Sequence, residues 1–127
     1  MAPLQILIVD DKPHVRVGIR MLLQTRLSWT ICGEASDGIE AIEKAAELKP
    51  DVILLDISMP RMDGLTALPL IREKSPESQI IVLTLFESLG TARAASRAGA
   101  QAYIAKSLMN KLLPALEALS RAKQAVE

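Results

Sequence analysis

Residues 6–11 read ILIVDD: four aliphatic side chains (Ile6, Leu7, Ile8, Val9) run straight into two carboxylates, Asp10 and Asp11. The run has no polar alternation, so both of its faces are apolar. Three later runs repeat the design. They are VILLD (Val52–Asp56), IIVLT (Ile80–Thr84) and AYIAK (Ala102–Lys106). Each is short, aliphatic and followed by turn or helix signals, the pattern of strands covered on both faces of a parallel sheet. In such sheets ligands bind beyond the carboxyl ends of the strands. Three carboxylates, one hydroxyl and one ammonium group are therefore expected on a single rim.

The stretches between these runs read as helices. Val15, Ile19, Leu22 and Leu23 share one helical face, with Arg16, Arg20 and Gln24 opposite. A further strand is expected over about Thr30–Ala35. Asp37 then caps a helix that turns Ile39, Ile42 and Ala46 inward and pairs Glu40 with Lys44 outside. Pro50 closes that helix. After Asp56, the loop Ser58–Gly64 leads to a helix through about Lys74, in which Pro69 predicts a kink or a late start. A fourth helix, about Ser88–Ala98, is nearly all Ala, Ser and Arg and buries Ala92, Ala94, Ala95 and Ala98. The last helix carries Leu112, Leu116 and Leu119 on one face, with Pro114 near its first turn. Five strands alternating with five helices predict right-handed βαβ crossovers and a three-layer α/β/α sandwich. Residues 1–127 read as a single domain, without repeats or linkers.

Composition narrows the function. Fifteen basic and fifteen acidic residues cancel, so there is no basic footprint for nucleic acid or anionic lipid. The only aromatics are Trp29, Phe86 and Tyr103, so the core is aliphatic. The one cysteine, Cys32, excludes an internal disulfide and reads as a buried thiol. The one histidine, His14, has no partner ligand and reads as a surface residue at a helix start. No apolar run approaches the roughly 18 residues of a membrane span, and no signal peptide is visible, which predicts a cytoplasmic protein.

The rim carries the chemistry. Two carboxylates about 4 Å apart repel by roughly 1–4 kcal/mol, so three together call for a cation or a bound proton. Hard oxygen ligands at a partly open site suit Mg²⁺. An Asp beside Mg²⁺ can act as nucleophile and carry a phosphoryl group. Lys106 and Thr84 can each reach a phosphate oxygen.

The set DD (Asp10, Asp11), D-x-x-M-P-x-M-D-G (Asp56–Gly64), Thr84 and Y-x-x-K (Tyr103–Lys106) resembles the receiver domain of two-component response regulators along nearly the whole chain. VRVGIRMLL, GEASDGIEAIEKA and SPESQIIVLT further resemble the subclass usually fused to a LuxR/NarL-type helix-turn-helix output domain. No output domain follows here, so the expectation is a stand-alone regulator or an excised receiver. The resemblance implies a flavodoxin-like sheet of order 2-1-3-4-5. It implies that Asp56 is the phosphoacceptor for a sensor histidine kinase. Asp11, Asp56 and the Ser58 backbone carbonyl would hold Mg²⁺, with Asp10 acting through water. Lys106 would pair with Asp56 and then with its phosphate. Thr84 would swing toward the phosphate and Tyr103 would follow, shifting the surface of the fourth helix, fifth strand and fifth helix. A homodimer on phosphorylation, and DNA contact only through an output domain, are implied as well.

Three residues depart from common receiver forms. Lys12 is expected to point into solvent. Phe86 and Ser58 are expected to slow phosphate loss by limiting productive water. An aspartate-nucleophile phosphatase is the rival enzyme reading. It needs a second acid two residues after the nucleophile, where Ser58 stands, and a cap for which the chain has no room. A receiver-like module that is never phosphorylated would lack one of the site residues, and all are present. No Gly-rich phosphate loop follows the first strand, which disfavours a nucleotide-binding fold.

Overall fold

The sheet is built from the five runs anticipated above. In the computed structural model, which describes residues 3–85 and 88–126, the strands are β1 (Leu4–Val9), β2 (Trp29–Ala35), β3 (Val52–Asp56), β4 (Gln79–Thr84) and β5 (Ala102–Ala105). All neighbours pair in parallel, in the order 2-1-3-4-5. The helices are α1 (Pro13–Leu23), α2 (Gly38–Leu48), α3 (Gly64–Lys74), α4 (Leu89–Arg97) and α5 (Leu112–Val126). A 3₁₀ segment, Lys106–Lys111, joins β5 to α5 and was not anticipated from the sequence.

Alternation along each strand divides the apolar side chains between two cores. Leu4, Ile6, Ile8, Val52 and Leu54 pack with Ile19 and Leu23 of α1 and Leu112 and Leu116 of α5. Leu7, Val9, Ile53, Leu55, Ile80 and Val82 face Ala41 and Ala45 of α2, Leu68 and Ile71 of α3, and Ala95 of α4. The β3 side chains are all buried, so the strand that ends at Asp56 is fixed from both sides.

Several helix expectations need correction. On α2 the buried residues are Gly38, Ala41 and Ala45, while Ile39 is exposed. Small side chains here let α2 lie close to its neighbours, and that outweighs the hydrophobicity of Ile39. Asp37 does cap α2, accepting from the Glu40 amide at 2.8 Å. Glu40 is not paired with Lys44; its carboxylate reaches back to accept from the Ser36 amide, 3.0 Å away, just ahead of the Asp37 cap. Helix α3 starts at Gly64 behind the Asp63 cap and continues past Pro69, so there is no late start. Pro69 is exposed, where water can satisfy the carbonyl it leaves unbonded. On α4 only Ala95 is fully buried, and Ala94 is exposed. Pro114 is the third residue of α5, as its backbone demands.

Candidate functional site

Asp56 is the last residue of β3, Asp10 and Asp11 follow β1, Thr84 ends β4, and Lys106 follows β5. Strands β1 and β3 are direct neighbours, which brings the carboxylates of Asp10, Asp11 and Asp56 to within 4.8 Å of one another. Asp10 and Asp56 are each 1% exposed. Lys106 Nζ donates to Asp10 Oδ2 at 2.7 Å and lies 3.4 Å from Asp56 Oδ1. The expected Lys106–Asp56 pair is thus a three-way arrangement in which Asp10 holds the ammonium more closely.

The two buried carboxylates are not equivalent. Both oxygens of Asp10 are engaged, Oδ2 by Lys106 and Oδ1 by the Lys12 amide at 2.9 Å. On Asp56, Oδ1 accepts from the Ser58 amide at 3.2 Å. Asp56 Oδ2 is buried with no hydrogen-bond donor. A buried acceptor left open is costly and calls for an explanation. Burial, followed by the nearby Asp10 charge, pushes the Asp56 carboxyl above its ordinary value, against the opposing pull of Lys106 and the Ser58 amide. Three carboxylates against the ammonium groups of Lys106 and Lys12 leave acid in excess. That donor set fits a hard divalent cation.

Lys12 keeps 38% of its side chain exposed, as expected, but is also paired. Its Nζ lies 3.1 Å from Asp11 Oδ1, and this hydrogen bond holds the lysine above its ordinary value, partly offset by burial. Thr84 is 3% exposed at the end of β4, next to the exposed Leu85. Tyr103 is half-buried against the core shared by α2, α3 and α4. Phe86 lies outside the described residues.

Three supports escaped the sequence reading. Arg16 Nη1 donates to the backbone carbonyl of Asp10 at 2.6 Å, while its Nε reaches Glu34 on β2 at 2.9 Å; Arg20 grips the other Glu34 oxygen. Gly64 allows α3 to start against the end of β3, since a Cβ there would sit 2.3 Å from the Asp56 carbonyl oxygen. The loop between Asp56 and Gly64 is clasped to the start of α2: the Gly38 amide donates to the Met62 carbonyl at 2.9 Å, and Arg61 pairs with Asp37. The two Asp-Gly dipeptides, at 37–38 and 63–64, were the available signal. A cavity of about 540 Å³ along the open edge of β2, beside Trp29 and Cys32, is lined by Arg20, Glu34 and Lys44 rather than by a cluster of carboxylates.

The family model for the response regulator receiver domain matches residues 6–117. The chain belongs to that family. It is 40% identical over 106 residues to the nitrate/nitrite response regulator protein NarL of Escherichia coli, covering 84% of this chain and 49% of that protein. It is 37% identical to the uncharacterized transcriptional regulatory protein YxjL of Bacillus subtilis, covering 93% of this chain and 55% of the relative. Among solved structures, a LuxR-family two-component response regulator from Aurantimonas superposes with a TM-score of 0.87 at 30% identity, covering 99% of this chain and all of that one. The response regulator domain of Thermotoga maritima CheB gives 0.83 at 34% identity, covering 98% of each chain. The receiver spans about half the length of these curated relatives. No helix among the described residues is long and apolar enough to cross a membrane.

Proposed function

We propose that Asp56 accepts a phosphoryl group from the phosphohistidine of a sensor kinase, and that the observation carrying this reading is the buried, donor-free Asp56 Oδ2. Oδ1 is committed to the Ser58 amide and Lys106, so Oδ2 has the lone pair for attack at phosphorus. An O–P bond forms as the P–N bond to the histidine breaks, and the imidazole leaves with the electron pair and takes up a proton. Asp11, Asp56 and the Ser58 carbonyl would hold Mg²⁺, with Asp10 reached through water; the ion would offset charge on the phosphoryl oxygens. Lys106, already between Asp10 and Asp56, transfers its attraction to the phosphoryl oxygens once they arrive. Thr84 supplies a hydroxyl donor from the end of the adjacent strand.

The output follows from anchoring. Helix α4 has one fully buried side chain, Ala95, and weakly anchored elements move at low cost. Phosphorylation adds charge and acceptors at the base of that helix, which draws Thr84 and Tyr103 inward and shifts the α4–β5–α5 face. The chain is a switch and takes no external substrate beyond its phosphodonor. It works in the cytoplasm and contacts DNA through a LuxR/NarL-type output domain, and its shifted face supports a homodimer.

Intact-mass measurement after incubation with acetyl phosphate, with and without Mg²⁺, tests this. A Mg²⁺-dependent, base-labile adduct absent from Asp56→Asn is the expected result. A folded protein that takes neither phosphoryl nor beryllofluoride would mean that the acidic rim is unused.

A further inference from the structure

The segment between Asp56 and Gly64 carries the carbonyl expected to face the cation, yet it is a loop. An ion pair and a backbone hydrogen bond tie it to the start of α2. Arg61 Nε donates to Asp37 Oδ2 at 2.8 Å, with a second contact from Nη2 to the same oxygen. Asp37 Oδ1 meanwhile accepts the Glu40 amide at the start of α2. One buried carboxylate thus joins a helix cap to the loop. Beside it, the Gly38 amide donates to Met62, and a Cβ on Gly38 would stand 2.7 Å from that carbonyl oxygen. The two segments touch backbone to backbone.

Arg61 occupies the left-handed region, φ 63°, where a long side chain is disfavoured. Folding accepts that conformation here, and the ion pair is the visible compensation. The Asp37 carboxyl is held below its ordinary value by the Glu40 amide and then by Arg61, consistent with a standing charge-assisted contact.

We infer that Asp37 and Arg61 form a positioning pair that fixes the loop after Asp56, and so sets the Ser58 carbonyl for the cation. The inference rests on the Mg²⁺ site proposed above. Neither residue touches the carboxylate rim: the pair acts on the ligand set through the loop. Partners that orient metal ligands typically contribute tenfold or more to affinity. A pair acting through an intervening turn should contribute less, roughly three- to tenfold.

Two variants separate positioning from folding. Arg61→Asn removes the guanidinium but tolerates positive φ. Asp37→Asn keeps a competent helix cap but loses the charge. Mg²⁺ affinity of the unphosphorylated 127-residue chain would be measured by calorimetry, with the Ser58 and Met59 amide resonances followed by NMR. We expect each variant to remain folded, bind Mg²⁺ about three- to tenfold more weakly, and shift those amides. The double variant should be no worse than either single one. Unchanged Mg²⁺ affinity in a folded Arg61→Asn protein, or losses that simply add, would overturn the pairing. Failure of the site reading itself looks different: wild type would bind no Mg²⁺, and the pair would lose its purpose with it.

Discussion

Lys106 and Asp10 face each other at 2.7 Å across the end of the sheet, each almost fully buried. Removing one partner leaves the other charged in a desolvated place, which typically costs 3–5 kcal/mol. Lys106→Met should therefore lower stability by about 3 kcal/mol in urea unfolding. Adding Asp10→Asn should restore much of that loss. If the double variant were no more stable than the single, the pair would not be the source of the cost.

Asp56 behaves in the opposite sense. Its carboxyl is pushed up on folding, so the native protein holds that proton more tightly than the unfolded chain. The ionised group is a burden above the folded value, and the burden vanishes below the unfolded value near 4. Without Mg²⁺, Asp56→Asn should be more stable than wild type at pH 7 by roughly 1 kcal/mol, the low end of carboxylate repulsion at this spacing. The gain should shrink as the pH falls toward 4. Thermal melts across that range check the sign, and a gain that grew in acid would contradict it.

Lys12 occupies an oxygen of Asp11 that a cation would want. Its pair is partly exposed, so its strength is modest and salt-sensitive. Lys12→Ala should tighten Mg²⁺ binding by about two- to fivefold at low ionic strength, and less at high salt. Equal affinity for both proteins would show that the lysine moves aside freely.

Gly64 sits against the backbone of Asp56 and Ile57. Gly64→Ala must push the end of β3 or the start of α3 aside, since backbone cannot yield as a side chain does. A loss of about 2 kcal/mol is expected, with slower acetyl phosphate turnover in the folded fraction. A well-folded variant with wild-type turnover would mean the loop absorbs the methyl elsewhere.

Much of this was legible in the sequence. Strands buried on both faces announce themselves as uninterrupted aliphatic runs, and the residue ending each run must lie on the rim. Helix phase was harder on α2, where Ile39 drew the eye and Ala41 did the packing. Contacts between loops were not legible. Asp37 and Arg61 are 24 residues apart, and nothing local to Arg61 says that it folds back. Nor does the sequence show that Arg16 spends its guanidinium on the Asp10 carbonyl. The lifetime expectations for Ser58 and Phe86 rest on water access, and Phe86 falls outside the described residues.

The Arg16–Glu34–Arg20 cluster has a second consequence. Strand β2 borders the sheet, and an open border strand invites a strand from another molecule to zip onto it. Here that border carries a clamped charge cluster, and its register against β1 slips between Ile6 and Leu7. Both features spoil a flat template for aggregation. The braces that hold the Asp10 backbone also make the β2 border a poor template for a strand from another molecule.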